Sequence, residues 1–158
     1  SDEKCEWLTK SAGFDAAINY KKEDVGAALD KHCPDGIDIN FENVGGEIMD
    51  EVILRLNDFA RMPLCGLISS YNATEPVPGP YNFSMLLMRH VTLKGFIVTD
   101  FMAHFAEGMQ AMAGWLMEGK IKFETDVVEG LENAPASLER LFTGKNLGKL
   151  VVKVSDAP

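Results

Sequence analysis

Hydrophobic positions along the chain switch repeatedly between a helical and an extended period. Ile48, Val52 and Leu56 fall on one face of a helix predicted over 47–56. Phe105, Met109, Met112 and Leu116 make one stripe of the longest predicted helix, 101–118, which stops before Gly119. A methionine-rich stripe of this kind serves as adaptable core filler, so this one is assigned to the core. Between such stretches lie short runs that alternate or carry β-branched residues, at 15–20 (DAAINY), 37–42 (IDINFE), 61–69 (RMPLCGLIS) and 91–98 (VTLKGFIV). Ser1-Asp2-Glu3 reads as a helix N-terminus, a capping hydroxyl followed by two carboxylates that suit the helix dipole. Glu23 to His32 predicts a further helix, ended by the turn Cys33-Pro34-Asp35-Gly36.

The order is therefore α, β, α, β, α, β, a loop with prolines at 76, 78 and 80, a short helix near 83–89, then β and α. Alternation of this kind implies a parallel sheet with helices on both faces. A doubly wound domain opens on a strand, whereas this chain opens on a capped helix, so at least one strand is expected upstream. The tail changes character: 123–129 reads as extended, Asn133 as the cap of a helix running to Phe142, and 149–154 (KLVVKV) as a last strand.

Composition narrows the function classes. A net charge of −9 over 158 residues disfavours a nucleic-acid surface, which needs clustered Lys and Arg. No run of 18 or more apolar residues occurs. Cys5, Cys33 and Cys65 are odd in number and widely spaced, which reads as reduced thiols in a cytoplasmic protein. His32, His90 and His104 have no ligand-like spacing with them, so no metal site is expected. A phospho-acceptor receiver domain shares the doubly wound fold, but it needs clustered acids at strand ends and a lysine beyond a later strand. Lys94 sits inside its predicted strand instead.

Seven stretches in order, SDEKCEWL, GFDAAINYK, DGIDINFENVGG, CGLISSYN, LKGFIV, WLMEGKI and GKNLGKLVVKV, resemble the zinc-independent medium-chain dehydrogenase/reductases. Within these, the chain resembles the NADPH-dependent alkenal double-bond reductases, the prostaglandin and leukotriene reductases and their bacterial counterparts. The resemblance implies a partial Rossmann-type doubly wound sheet over residues 1–122 that lacks its first strands and their glycine-rich phosphate turn. Residues 123–158 would return to a catalytic domain that lies outside this sequence. It implies NADP(H) as cofactor and hydride transfer to the β-carbon of an α,β-unsaturated aldehyde or ketone. A quinone reductase of the same superfamily, or a non-catalytic assembly unit, is the alternative. A homodimer formed through the Val91–Val98 edge strand is also implied.

Residue roles follow from the same resemblance. Ligands of a doubly wound sheet bind beyond the carboxyl ends of its strands. The stretch Asn40–Gly46 (NFENVGG) would line that crevice, with Asn43 offering an amide and Gly45 letting backbone approach the dinucleotide. On the residues alone, the same turn serves as a plain strand-to-helix connection, for which Gly and Asn are common. Lys4, a cation at a helix start, would select the 2′-phosphate of NADP, with Ser1 and Tyr20 as hydrogen-bond donors beside it. Without a ligand Lys4 is a solvated lysine. Gly66 and Ser69 resemble the stretch that passes over the cofactor. Tyr71 is the one acid–base candidate, its other reading being packing within a Pro-rich loop. Phe96, Ile97 and Val98 would turn main-chain groups toward the nicotinamide carboxamide, and Asn146 would reach the cofactor from the tail. Asp38, between two apolar neighbours, reads as a hydrogen-bonded structural residue.

Overall fold

The computed structural model describes residues 1–156 and divides the chain into two compact units, Ile18–Ala106 and Ser1–Ala17 with Glu107–Pro158. The unit formed by Ile18–Ala106 is built on three parallel strands, β1 (Ile37–Ile39), β2 (Leu56–Leu64) and β3 (Thr92–Gly95), in the order β1-β2-β3. Helix α2 (Val25–His32) precedes β1, α3 (Gly46–Leu54) links β1 to β2, and α4 (Ser84–Met88) precedes β3. Asp24 caps α2 by accepting from Ala27 N–H at 2.7 Å.

The core forms where α3 lies on β2. Met49, Val52 and Ile53 of the helix meet Leu56, Ala60 and Met62 of the strand and Leu86 of α4. Ile53 and Met62 are wholly buried, which fixes the α3 face and the register of β2 together. Arg55, at the end of α3, forms a bidentate fork on Asp30 of α2 and also reaches Glu51. That fork lets the two helices sit close, and a side chain on Gly26 would collide with the tips of Glu51 and Arg55.

β2 is not regular. Between its pairs Ile37↔Leu56 and Ile39↔Arg61, β1 advances two residues and β2 five, so three residues of β2 bulge out of the ladder. Phe59 sits in that bulge with φ 64°, donates its N–H to Arg89 at 2.7 Å and stacks on His90, itself at φ 53°.

In the other unit, β4 (Thr125–Glu129) pairs in parallel with β5 (Lys149–Lys153), and α6 (Ala134–Thr143) makes the crossover. Arg140 of α6 pairs with Asp126 of β4, and Gly144 ends the helix in the left-handed conformation. Helix α1 (Asp2–Lys10) and most of α5 (Phe105–Met117) belong to this unit as well.

Four sequence expectations change. Residues 15–20 form no strand, because no described strand pairs with them, and an extended segment without a ladder is not a sheet element. The strand expected over 61–69 begins at Leu56 and ends at Leu64, since the apolar residues up to Met62 pack on α3 and the chain turns away beyond Leu64. The edge strand expected over 91–98 is shorter, Thr92–Gly95, and from Val98 to His104 the chain winds as a 3-10 helix leading into α5. The α5 stripe is not core: Phe105, Met109, Met112 and Leu116 are all 43–51% exposed. Helical periodicity identifies an apolar face but not what covers it.

Candidate functional site

The carboxyl ends of three parallel strands lie along one edge of the β1-β2-β3 sheet, and the loops that leave them carry most of the predicted residues. Asn43 and Gly45 follow β1, Gly66, Ser69 and Tyr71 follow β2, and Phe96, Ile97 and Val98 follow β3. The first two loops are laced together by main-chain bonds. Cys65 and Gly66 donate to Glu42 C=O at 2.9 and 3.1 Å, Ile68 donates to Asn43 C=O at 3.1 Å, and Ser69 to Val44 C=O at 2.9 Å.

This lacing explains the glycines. Gly45 has φ 77°, and a Cβ there would stand 2.9 Å from Leu67 Cδ2 and 3.1 Å from Ser69 Oγ. A Cβ on Gly66 would stand 2.9 Å from Tyr71 Oη. At Gly45 the missing side chain lets the first loop lie on the second, and at Gly66 it makes room for the second loop's own Tyr71, demands the chain makes of itself before any ligand arrives. Tyr71 closes the second loop, its hydroxyl accepting from Leu67 N–H at 3.3 Å while its ring remains exposed. The Asn43 amide is exposed and makes no hydrogen bond with the described residues, so it is open to an incoming group.

Phe96 is held edge-on between two other rings, 5.9 Å from Phe41 and 5.5 Å from Phe101 between centroids. Its side chain packs the end of the sheet. Of the main-chain donors in this segment, Phe96 N–H already goes to Leu64 C=O at 3.2 Å and Ile97 N–H to Asp100 Oδ2 at 3.0 Å. Ile97 and Val98 are about two-thirds exposed. Behind the first two loops lies a cleft of about 400 Å³, between Gly45, Gly46 and Met49 below and Val77 to Tyr81 above. Asp50 of α3 anchors that Pro-rich segment by accepting from Tyr81 and Asn82 N–H at 3.1 and 3.0 Å.

Of the remaining predicted residues, Ser1, Lys4 and Asn146 have partners within the chain. Ser1 Oγ accepts from Lys4 N–H at 3.4 Å, as a capping residue does. The Lys4 ammonium donates to Gly144 C=O at 2.8 Å, so the cation at the start of α1 sits on the carbonyl that ends α6. Asn146 Nδ2 donates to Gly148 C=O at 2.9 Å within its own turn. Tyr20 stands exposed in a turn beside buried Asn19. Lys4 and Asn146 belong to one unit, and Tyr20 with the strand-end loops to the other. Asp38 accepts from Asn57 Nδ2 at 2.9 Å, the structural role expected of it.

Two residues were missed. Glu42 is 3% exposed, and its carboxylate accepts from Val44, Gly45 and Asn40. Asp100 fixes Ile97. The signal for Glu42 was present, a lone acid ending an apolar alternation directly before Asn-Val-Gly-Gly. Its two main-chain donors lie two and three residues ahead, the reach of a side-chain-capped turn.

A dinucleotide fits these loops on three grounds. The strand-end edge lies where doubly wound sheets bind such ligands, the Asn43 amide is open, and the flanking Ile68, Tyr71, Ile97 and Val98 offer exposed apolar surface. Among the described residues no group of three or more His, Cys, Asp or Glu stands together to hold a metal ion.

Residues 12–152 match the family profile described as zinc-binding dehydrogenase. The NADPH-dependent curcumin reductase of Escherichia coli is 43% identical over 97% of this chain, and the match covers 46% of that protein. The NADP(+)-dependent 2-alkenal reductase of Nicotiana tabacum is 42% identical over 98% of this chain and 45% of its own length. Among solved structures, CurA from Vibrio vulnificus in complex with NADPH superposes with a TM-score of 0.90 at 42% identity, covering 99% of this chain and 48% of that one. The chain thus spans about half the length of the curated relatives it matches. It belongs to the zinc-binding dehydrogenase family, the medium-chain dehydrogenase/reductases that its motifs resemble.

Proposed function

We propose that this chain supplies the cofactor-facing half of an NADPH-dependent reductase of activated C=C bonds, acting on α,β-unsaturated aldehydes and ketones. The observation that carries it is the convergence of the loops after β1, β2 and β3 on one sheet edge, in a chain that superposes over 99% of its length on a relative solved with NADPH. Bound NADPH supplies the hydride that adds to the β-carbon, and the enolate oxygen or α-carbon then takes a proton. The protein's part is positioning. Asn43 and the loop from Gly66 to Ser69 hold the ribose and phosphate portion, and Phe96, Ile97 and Val98 set the nicotinamide end. Tyr71 is the acid–base candidate of this reading, its phenol serving the proton or the ribose. Lys4 and Ser1 take the 2′-phosphate in this reading, Lys4 exchanging its Gly144 carbonyl for a phosphate oxygen, and Tyr20 and Asn146 are each proposed separately as cofactor contacts.

In this reading residues 1–122 belong to the cofactor domain and 123–158 return to the catalytic domain. The protein works in the cytoplasm. No helix among the described residues is long and apolar enough to cross a membrane.

The direct experiment follows the reduced-nicotinamide absorbance of the whole protein with a medium-chain alkenal and, in parallel, a quinone. Faster NADPH loss with the alkenal is expected. Loss with the quinone alone transfers the proposal to a quinone reductase, and loss with neither ends it. We also propose a homodimer through β3, whose four residues Thr92 to Gly95 are all exposed on the edge of their sheet. Light scattering after size exclusion is expected to give twice the protomer mass; a monomer at high concentration removes the dimer.

A further inference from the structure

We infer that Glu42 is a positioning residue for the cofactor, its buried carboxylate setting the shape of the loops that the cofactor meets; this rests on the NADPH-dependent reading above. A carboxylate stays inside a protein only when donors replace its water. At Glu42 three do so: Val44 and Gly45 N–H reach Oε1 at 2.6 and 2.7 Å, and Asn40 Nδ2 reaches Oε2 at 2.8 Å. The main chain of the same residue faces the neighbouring strand. Its N–H donates to Pro63 C=O at 2.9 Å, and its C=O receives Cys65 and Gly66 N–H. One residue therefore ties the end of β1 to the end of β2 and bends the chain between them into the start of α3.

Asn43 stands between Glu42 and Val44, both of which this network fixes, and Gly45 is itself a donor to the carboxylate. Both residues of the first loop that the function reading gives to the cofactor are thus positioned through Glu42. The second loop follows, because Gly66 hangs from the Glu42 carbonyl and Ile68 from that of Asn43.

Stereochemistry makes glutamate hard to replace here. Every group that reaches the carboxylate is a donor, so both oxygens must accept. A glutamine keeps one acceptor for Val44 and Gly45, but it brings an NH2 toward Asn40, whose amide must turn over to accept from it, and the carboxylate that every donor faced is lost. Exchanging the two chemistries mends the fault. With Asn40→Asp added, the glutamine oxygen still serves the two main-chain donors, and its amide donates to the new carboxylate. A residue that merely filled space would not be rescued this way.

The test is steady-state kinetics of the whole protein with NADPH and an enone, with a thermal melt of each variant to confirm folding. Glu42→Gln is expected to raise KM for NADPH about tenfold or more and to move KM for the enone much less. The Asn40→Asp/Glu42→Gln pair is expected to return KM for NADPH to within about threefold of wild type, a coupling that the two single variants do not predict. Glu42→Asp, a shorter carboxylate, is expected to fall between. An unmoved KM for NADPH in a folded Glu42→Gln protein overturns the inference, and so does a rise that the paired change leaves in place. Wild-type protein that oxidises no NADPH with any enone overturns this inference and the function reading together, whereas normal wild-type activity with an unmoved variant overturns this inference alone.

Discussion

At the scale of residues, the site is made of small geometric necessities. Gly45 shows two at once, a left-handed φ of 77° and a Leu67 methyl 2.9 Å from where a Cβ would stand. Gly13 separates them, because it shares the φ, at 81°, but has open space around it. Gly13→Ala is expected to cost only the conformational strain, about 1 kcal/mol, while Gly45→Ala adds the collision and costs about 2–3 kcal/mol. Equal losses of melting temperature would mean that the first two loops do not press on each other. The glycines were legible in the sequence, but their cause was not. The sequence reading offered the ligand or a plain strand-to-helix turn as the cause of their bareness, and the chain's own second loop lies close against Gly45 in any case. Lys4 teaches the same lesson, its charge at a helix start being answered by the Gly144 carbonyl, 140 residues away and invisible to any local pattern.

Elements were read well where a single chain segment decides them. The Ser1 cap of α1, the turn that ends α2 and the helix and strand of the tail all follow from local spacing. Reading failed where a partner decides. Residues 15–20 have strand composition but no described neighbour, and β2 starts at Leu56 because the buried face of α3 reaches that far.

The clamp between α2 and α3 gives this scale its own test. The Arg55 guanidinium, hydrogen-bonded to Asp30, holds the Asp30 carboxyl below the usual carboxylate range, and the two acids push Arg55 upward in turn. The folded-state value of Asp30 is thus depressed. Its contribution is present above the unfolded value, about 3.9, and is lost as pH falls through the folded one. The melting-temperature gap between wild type and Asp30→Asn is expected to hold from neutrality down to about pH 4 and to close on further acidification. A gap that stays constant to about pH 2 would show that the fork contributes shape and not charge. Asp30 is solvent-exposed, so the gap will be small and weakened by salt.

For the whole molecule, the balance of buried and exposed apolar residues carries the functional meaning. The largest fully buried side chains are Ile53, Leu56 and Met62, all in the α3–β2 core, while α5 buries none of its residues and exposes Met117 to 85%. The apolar stripe of α5 is half-exposed, and the chain matches about half of each relative. The sequence motifs carried the family, and the sheet edge carries the proposed cofactor crevice. The claim that joins them, that this crevice delivers a hydride to an activated double bond, is tested most directly by isotope transfer. The whole protein is given NADPH deuterated at its transferable position together with an α,β-unsaturated aldehyde, and the product is examined by mass spectrometry and NMR. The account predicts a saturated aldehyde with deuterium on the β-carbon. Deuterium on the carbonyl carbon of an allylic alcohol, or a product without deuterium, would contradict it.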